Sequence, residues 1–297
     1  MKVFVIGATG LIGSAAARCI RKAGHEVVGL ARSTEAEANL RKWDIIPLAG
    51  DAEDSAALLR GTLTADATIF APSLGELETK IVDRLLFEIS GTGKTFVFTS
   101  GTGVLGQRTG GEWSEDNFGE DDTFTPLKQL TGRHELESRV RAATGIRGMV
   151  VRPPAVWSHE KLTPLVRAIV QSVRQTGSAC YIGRGLNLYS HVHAEDLGEV
   201  FRAVVEEGQR GAVYHAVAGE VANRWIAETV ARLHGCQTRS ITMDEAIELW
   251  GKFAALVVMS VSSRSRSPRT RREFGWSPTY VDMLANSEDL IRAALAG

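Results

Sequence analysis

Three glycines near the start of the chain have the type and spacing of a phosphate-binding turn. Gly7, Gly10 and Gly13 follow the β-branched and aromatic run Val3 to Ile6 and precede the alanine-rich stretch Ser14 to Lys22. A dinucleotide pyrophosphate requires this combination, because the turn must be tight, the backbone must approach closely, and a helix N-terminus must present free N–H groups. The pattern predicts a strand, a dinucleotide-binding turn and a helix; a tight turn without a ligand is the alternative.

The end of the second predicted strand bears on which dinucleotide binds. His25 to Ala31 form this strand, and Arg32 and Ser33 follow it, where an acidic residue would hold a ribose 2′-hydroxyl. Ala31 occupies the position of that acid. An arginine beside a hydroxyl suits a 2′-phosphate, because guanidinium matches phosphate oxygens in charge and geometry. The sequence therefore predicts NADP(H) in preference to NAD(H), which is still possible; an ordinary surface arginine at position 32 is the alternative.

Composition narrows the class of protein. The 297 residues carry a formal net charge of −1 and are 44% hydrophobic, which is typical of a globular protein and gives no electrostatic bias toward nucleic acid or anionic membrane. No apolar run reaches the roughly 20 residues of a membrane span, and Lys2 leads directly into the first strand without a signal-peptide pattern. Isolated Cys19, Cys180 and Cys236 favour a reducing cytoplasm. We expect a small-molecule substrate as partner and leave a homodimer open.

The elements that must position these residues alternate between strand and helix. Further strands are predicted at Ile45 to Leu48, Ala67 to Ala71, Thr95 to Thr99 and Arg147 to Arg152, with helices at Ser55 to Leu59 and Leu77 to Ser90. Repeated βα units imply an α/β fold with a Rossmann-type, doubly wound parallel sheet and ligands at the carboxyl ends of its strands. We expect a nucleotide-binding domain over 1–155 with a return segment near 190–220, and a smaller α/β substrate lobe over 156–189 and 221–297.

The sequences at several of these strand ends match motifs of a known protein family. The segments are Gly7-Ala-Thr-Gly-Leu-Ile-Gly13, Gly50-Asp51, Phe96-Val-Phe-Thr-Ser100, Gly145-Ile-Arg-Gly-Met-Val-Val-Arg-Pro-Pro154 and His191-Val-His-Ala-Glu-Asp196. The sequence resembles the extended short-chain dehydrogenase/reductases, which include NAD-dependent epimerases and dehydratases. The resemblance implies that Asp51 holds the adenine amino group, that Ala71 and Pro72 line the nicotinamide ribose, and that residues near Pro154 close over the nicotinamide. Together with the turn, the expected cofactor-binding residues are Gly7, Thr9, Gly10, Leu11, Ile12, Gly13, Arg32, Ser33, Asp51, Ala52, Ala71, Pro72, Ser73, Thr99, Arg133, Pro153 and Pro154.

The catalytic positions depart from that family. Its members use a Ser or Thr to polarise the substrate carbonyl, a Tyr to transfer the proton, and a Lys four residues later to hold the ribose. Here Gly101 stands at the usual serine, Gln129 at the tyrosine and Arg133 at the lysine, and no tyrosine lies between Met1 and Cys180. The chain therefore resembles the atypical, tyrosine-lacking subgroups.

Four residues are candidates for the vacant roles. Arg133 could hold the ribose, but a guanidinium is too strong a base to be a good proton donor. Ser100 and Thr102 flank the missing serine and could orient a substrate oxygen; satisfying backbone groups at the strand end is their alternative role. Histidine is a common proton donor in proteins, but His134 turns about 100° away from the face of Arg133 on the helix and is expected to be a surface histidine.

Three further groups of charged or metal-binding residue types could form binding sites. An acidic loop over residues 107–125 could overhang the substrate cleft or could simply face water. The arginine segment, Arg264–Arg272, could reach a phosphate, or could be an exposed loop or helix start. His191, His193 and Asp196 have the residue types of a metal site, but the resembling family carries a similar motif without metal, and we expect no metal here.

We expect an NADP(H)-binding oxidoreductase that acts on a small carbonyl or hydroxyl compound. Ser100 or Thr102 would orient the oxygen, and Arg133 would hold the cofactor ribose. A nucleotide-sugar epimerase or dehydratase and a non-catalytic NADP(H)-sensing regulator are the alternatives. Loss of the Tyr, Lys and Ser together favours the regulator, whereas the retained cleft-lining segments favour an enzyme.

Overall fold

A computed structural model describes residues 1–296. Over these residues the chain forms fourteen strands, which are β1 Lys2–Ile6, β2 Glu26–Ala31, β3 Ile46–Ala49, β4 Ala67–Phe70, β5 Thr95–Thr99, β6 Gln107–Arg108, β7 Arg147–Arg152, β8 Ala155–Trp157, β9 Ser178–Ile182, β10 Leu188–His193, β11 Val213–His215, β12 Gly219–Ala222, β13 Gln237–Ile241 and β14 Val261–Ser262. The α-helices in the same range are α1 Leu11–Lys22, α2 Thr34–Arg41, α3 Ser55–Thr64, α4 Glu76–Glu88, α5 Thr131–Ala142, α6 Pro164–Thr176, α7 Ala194–Glu207, α8 Asn223–His234, α9 Met243–Trp250, α10 Pro268–Phe274 and α11 Met283–Ala296.

Seven strands form one central sheet in the order β11-β7-β5-β4-β1-β2-β3. Every neighbouring pair in it is parallel. Parallel strands need crossovers, so the helices between them cover both faces of the sheet and all the carboxyl ends meet at one edge. The predicted doubly wound α/β fold is confirmed.

Strand β1 shows why this sheet is buried on both sides. Val3 and Val5 belong to one apolar cluster, which includes residues of α1 and α7, while Phe4 and Ile6 belong to another, which includes residues of α3, α4 and α5. Since successive side chains point to opposite faces, a strand of four consecutive apolar residues requires both faces to be covered.

The remaining strands form three small sheets: β12-β10-β8, β13-β9 and β14-β6. A third apolar cluster packs there, with Trp157, Tyr181 and Ile226 among its members. Within residues 1–296, no helix has the length and apolarity needed to cross a membrane.

Two elements differ from the sequence-based expectation. Helix α3 continues to Thr64 instead of ending near residue 59, and α2 was not anticipated. Of the residues of α2, only Leu40 is buried, so this helix does not need the apolar stripe by which a helix is predicted from sequence. The sequence feature that indicates the helix is its N-cap, because Ser33 accepts a hydrogen bond from the N–H of Ala36 at the N-terminus of α2.

Candidate functional site

The glycine turn has the close backbone packing that a phosphate cradle needs. Gly7 has a φ of +86°, which disfavours any side chain. A Cβ at Gly13 would lie 2.1 Å from the carbonyl oxygen of Gly7, so α1 can approach the turn only with glycine there. Gly10 occupies the N-cap and leaves the first N–H groups of α1 without a side-chain cap. These amides are therefore free to bind an anion.

A groove of about 480 Å³ runs from this turn along the carboxyl ends of the central strands. It brings together nine of the residues predicted to bind cofactor, which are Gly7, Thr9, Gly10, Arg32, Asp51, Ala52, Ala71, Pro72 and Ser73. Six lining residues were not predicted: Ile6, Leu30, Gly50, Glu53, Leu74 and Leu77. Predicted Leu11, Ile12 and Gly13 lie in the first turn of α1, and Thr99, Pro153 and Pro154 lie at the ends of β5 and β7.

One end of the groove is polar and charged. Arg32 is exposed and follows β2 directly. The hydroxyl of Ser33 caps α2 as an acceptor, which leaves its hydrogen available for donation. Asp51 accepts from the N–H groups of Glu53 at 2.8 Å and Asp54 at 2.9 Å through Oδ1. A carboxylate has lone pairs beyond these two bonds, so it can also accept an exocyclic amine.

The middle of the groove is formed by backbone in contact with backbone. A Cβ at Gly7 would lie 3.1 Å from the nitrogen of Pro72 and 3.2 Å from the carbonyl carbon of Ala71. The turn after β1 and the turn after β4 therefore share one floor, on which an extended ligand could rest.

The two candidate hydroxyls beyond β5 have different surroundings. Thr102 is 1% exposed; Ser263 donates to its carbonyl oxygen at 2.8 Å and lies 3.5 Å from its hydroxyl. The hydroxyl of Ser100 is buried and has no hydrogen-bond partner among residues 1–296. Gln129, at the position of the family tyrosine, is exposed. Of the two candidates, Ser100 is the one whose hydroxyl has no hydrogen-bond partner among the described residues.

Arg133 is held by an acid that sequence reasoning missed. Its guanidinium pairs with Glu78 of α4 at 2.8 Å and donates to the carbonyl oxygen of Thr99 at 3.3 Å. Glu78 is buried, and it accepts from the N–H of Leu74 at 3.4 Å. Burial raises the pKa of Glu78, while the Arg133 guanidinium lowers it. The pair joins α4 and α5 to the end of β5.

All four tyrosines lie after residue 180. Tyr181 and Tyr189 are members of the third apolar cluster, and burial raises the pKa of Tyr189. Tyr214 donates to Glu273 at 2.8 Å, and Tyr280 donates to Glu195 at 3.2 Å.

The acidic loop and the arginine segment contact each other. Phe118 and Ser265 form a β-bridge, with backbone hydrogen bonds to Phe118 on both sides. Arg266 pairs with Asp122 at 2.6 Å, Arg269 pairs with Asp121, and Arg264 donates to the carbonyl oxygen of Ser114. The chain is extended from residue 263 to residue 267, so the buried Ser263, Ser265 and Ser267 alternate with Arg264 and Arg266, which pair with Glu220 and Asp122. This alternation of serine and arginine is a sequence pattern that could have predicted an extended segment with one buried face.

Glu120 is the buried acid of this contact and binds the start of α10. It is 7% exposed and accepts from the backbone N–H groups of Arg269 and Thr270, both at 3.1 Å, and from the Thr270 hydroxyl at 3.0 Å. These donors begin α10, so the carboxylate also lies at the positive end of a helix dipole.

The histidine motif has structural roles. Asp196 accepts from the N–H groups of Thr279 and Tyr280, both at 2.9 Å, and His193 accepts from the N–H of Glu195 at the start of α7. Over residues 1–296, no three side chains of the metal-binding types come together as a site.

The chain is similar to known proteins over most of its length. The uncharacterized protein YLL056C of Saccharomyces cerevisiae is 30% identical over 96% of this chain and 97% of its own length. Sterol-4-alpha-carboxylate 3-dehydrogenase, decarboxylating, of Dictyostelium discoideum is 24% identical over 73% of this chain and 71% of its own. The structure of dTDP-glucose 4,6-dehydratase from Bacillus anthracis in complex with NAD superposes with a TM-score of 0.72 at 16% identity, covering 100% of this chain and 96% of that one.

The family assignment rests on nearly three-quarters of the chain. The NAD dependent epimerase/dehydratase family matches residues 3–218, a range that contains the glycine turn, the groove and the Glu78–Arg133 pair. The chain belongs to the NAD dependent epimerase/dehydratase family.

Proposed function

We propose that the protein binds NADP(H) and transfers hydride to or from a small carbonyl or hydroxyl compound. The observation that carries the proposal is the groove lined from Arg32 to Leu77, which passes over a glycine turn whose close backbone packing would let a pyrophosphate approach the first amides of α1. The NAD in the dehydratase complex and the dehydrogenase name of the Dictyostelium relative support a redox dinucleotide.

In this proposal, different residues along the groove would bind different parts of the cofactor. The first amides of α1 would bind the pyrophosphate, Arg32 the 2′-phosphate, and Asp51 the adenine amino group. The cofactor would supply or accept hydride when bound. Ser100 would orient the substrate oxygen, and Arg133 would hold the nicotinamide ribose. No tyrosine serves as proton donor in this proposal, and the proton would come from water or from another group at the site.

Two other functions have some support. A nucleotide-sugar epimerase or dehydratase would fit the family and the named activity of the Bacillus enzyme. A regulator that binds NADP(H) without turnover would fit the engagement of Thr102 by Ser263 and the exposed Gln129 at the tyrosine position.

The cofactor assignment is tested by titrating the protein with NADPH and with NADH. We expect NADPH to bind more tightly, and Arg32→Ala to weaken it by about 1–3 kcal/mol while leaving NADH nearly unchanged, since a charge-assisted hydrogen bond is lost only with the phosphate. Arg41→Ala is the control, because Arg41 is an exposed arginine at the other end of α2. Equal affinities of the unmodified protein for the two cofactors would contradict the assignment.

Catalysis is tested by following NADPH oxidation over a panel of aldehydes and ketones. Turnover that Ser100→Ala reduces, with NADPH affinity retained, is the expected result. Tight NADPH binding without turnover on any carbonyl or nucleotide-sugar compound would favour the regulator. Conversion of a nucleotide sugar without net NADPH consumption would favour the epimerase.

A further inference from the structure

Glu78 is a buried carboxylate that lies beside the groove, unlike the acid of an ordinary surface ion pair. It follows Leu77, a residue that lines the groove, and its carboxylate accepts from the N–H of Leu74, another lining residue. Its side chain is only 4% exposed, whereas the side chain of its partner Arg133 is 23% exposed. The acid is thus enclosed, and the cation it holds keeps access to solvent.

Arg133 is fixed from three directions at the end of β5. One guanidinium nitrogen contacts Glu78, another donates to the carbonyl oxygen of Thr99, and the Cζ atom lies 5.7 Å from the centre of the Phe98 ring. A free arginine side chain would lose considerable rotamer entropy on binding a ligand. An arginine already held by a buried carboxylate has lost that entropy on folding.

We infer that Glu78 is a positioning residue, which holds the Arg133 guanidinium at the nicotinamide-ribose end of the groove and links it to the turn after β4. The inference rests on the proposed function, because it assigns the ribose of NADP(H) to Arg133. Glu78 acts only through Arg133 and contacts no part of the cofactor. This role of Glu78 also accounts for an arginine at the position where the family has a lysine, because the ion pair with Glu78 fixes where the longer side chain of Arg133 ends.

The chain contains a matched control pair. Asp83 and Arg139 also join α4 to α5, at 3.0 Å, but their side chains are 45% and 43% exposed. Asp83→Asn removes an ion pair between the same two helices without touching the groove.

The experiment compares two ligands by calorimetric titration: NADPH, and adenosine 2′,5′-bisphosphate, which lacks the nicotinamide half. Glu78→Gln keeps the shape of the side chain, and we expect it to weaken NADPH about tenfold while changing the affinity for the bisphosphate less than about twofold. Asp83→Asn should change neither. The double variant Glu78→Gln/Arg133→Ala should bind NADPH no more weakly than Arg133→Ala alone, since the acid acts only through the cation.

The outcomes separate the inference from the proposed function. If the unmodified protein binds neither ligand, the proposed function fails and the inference with it. If it binds both, and Glu78→Gln weakens the two equally or not at all, the inference alone is overturned. Should Glu78→Gln fail to fold, Glu78→Asp decides, because it keeps the charge but draws the carboxylate back from Arg133: it must weaken NADPH and spare the bisphosphate, and an equal effect on both rejects the inference.

Discussion

Glu120 shows how one buried carboxylate organises two distant segments. Its oxygens accept hydrogen bonds from three donors at the start of α10, while its own backbone belongs to the acidic loop. A carboxylate offers only acceptors, whereas an amide would turn two N–H groups toward donors that already point inward. The negative charge also favours this helix N-terminus.

We expect Glu120→Gln to lower the free energy of unfolding by about 1–3 kcal/mol, the range for leaving buried donors poorly paired. Urea denaturation followed by circular dichroism measures the change. Glu115→Gln is the control, since Glu115 is exposed in the same loop and should change stability by less than about 0.5 kcal/mol. An equal loss in both variants would show that the charge of the loop, and not the cap on α10, matters.

At the scale of elements, the junction of β1 and α1 allows no added atom at Gly13. A Cβ there would lie 2.1 Å from a backbone oxygen, which cannot move aside as a side chain can. Gly13→Ala should push α1 away from the turn and abolish measurable NADPH binding, with a stability loss of about 1–3 kcal/mol from overpacking.

Gly132→Ala is the matched control for this prediction. Gly132 lies in the first turn of α5, close to Arg133, but a Cβ there meets nothing within 4 Å. Alanine is the better helix former, so this variant should bind NADPH normally and gain about 0.4–1 kcal/mol. Retained NADPH affinity in Gly13→Ala would mean that the turn does not form the phosphate cradle.

What the sequence could predict at this scale follows from how local each signal is. The strands of the central sheet are continuous apolar runs, and their ends were placed within one or two residues. The glycine turn and the groove residues after β2, β3 and β4 follow directly from those ends. The Glu78–Arg133 pair was missed because it joins residues 55 positions apart. Nothing in the first turn of α4 tells a buried glutamate from one that faces solvent.

At the scale of the whole molecule, three histidines are buried within residues 1–296, and two of them, His191 and His215, have strongly lowered pKa values. Burial and the Arg152 guanidinium lower the pKa of His215 to about 3, and burial lowers the pKa of His191 to about 4. Both values lie below the ordinary value of 6.5. Below that value the unfolded chain binds protons that the folded protein does not. Stability is therefore fully present above pH 6.5 and is lost as the pH falls toward 4.

Each such histidine should contribute about 1.4 kcal/mol per pH unit to this loss once its unfolded form is charged. Urea denaturation at several values between pH 6 and 5 measures the slope. His215→Asn should reduce the slope by one histidine's share, whatever its effect on stability at neutral pH. His234→Asn removes an exposed histidine and should leave the slope unchanged. A slope that His215→Asn leaves untouched would contradict the assignment of a neutral buried ring.

The bond between Glu120 and the start of α10 spans 149 positions along the chain. During synthesis, the acidic loop leaves the ribosome long before the arginines that will neutralise it. Its carboxylates stay hydrated until residue 270 has emerged. Because contacts of high sequence separation form late and slowly, the contact between Glu120 and α10 is expected to be among the last steps of folding. A ribosome that stalls before that point would hold a nascent chain in which all seven strands of the central sheet have been synthesised but Glu120 has no partner in α10.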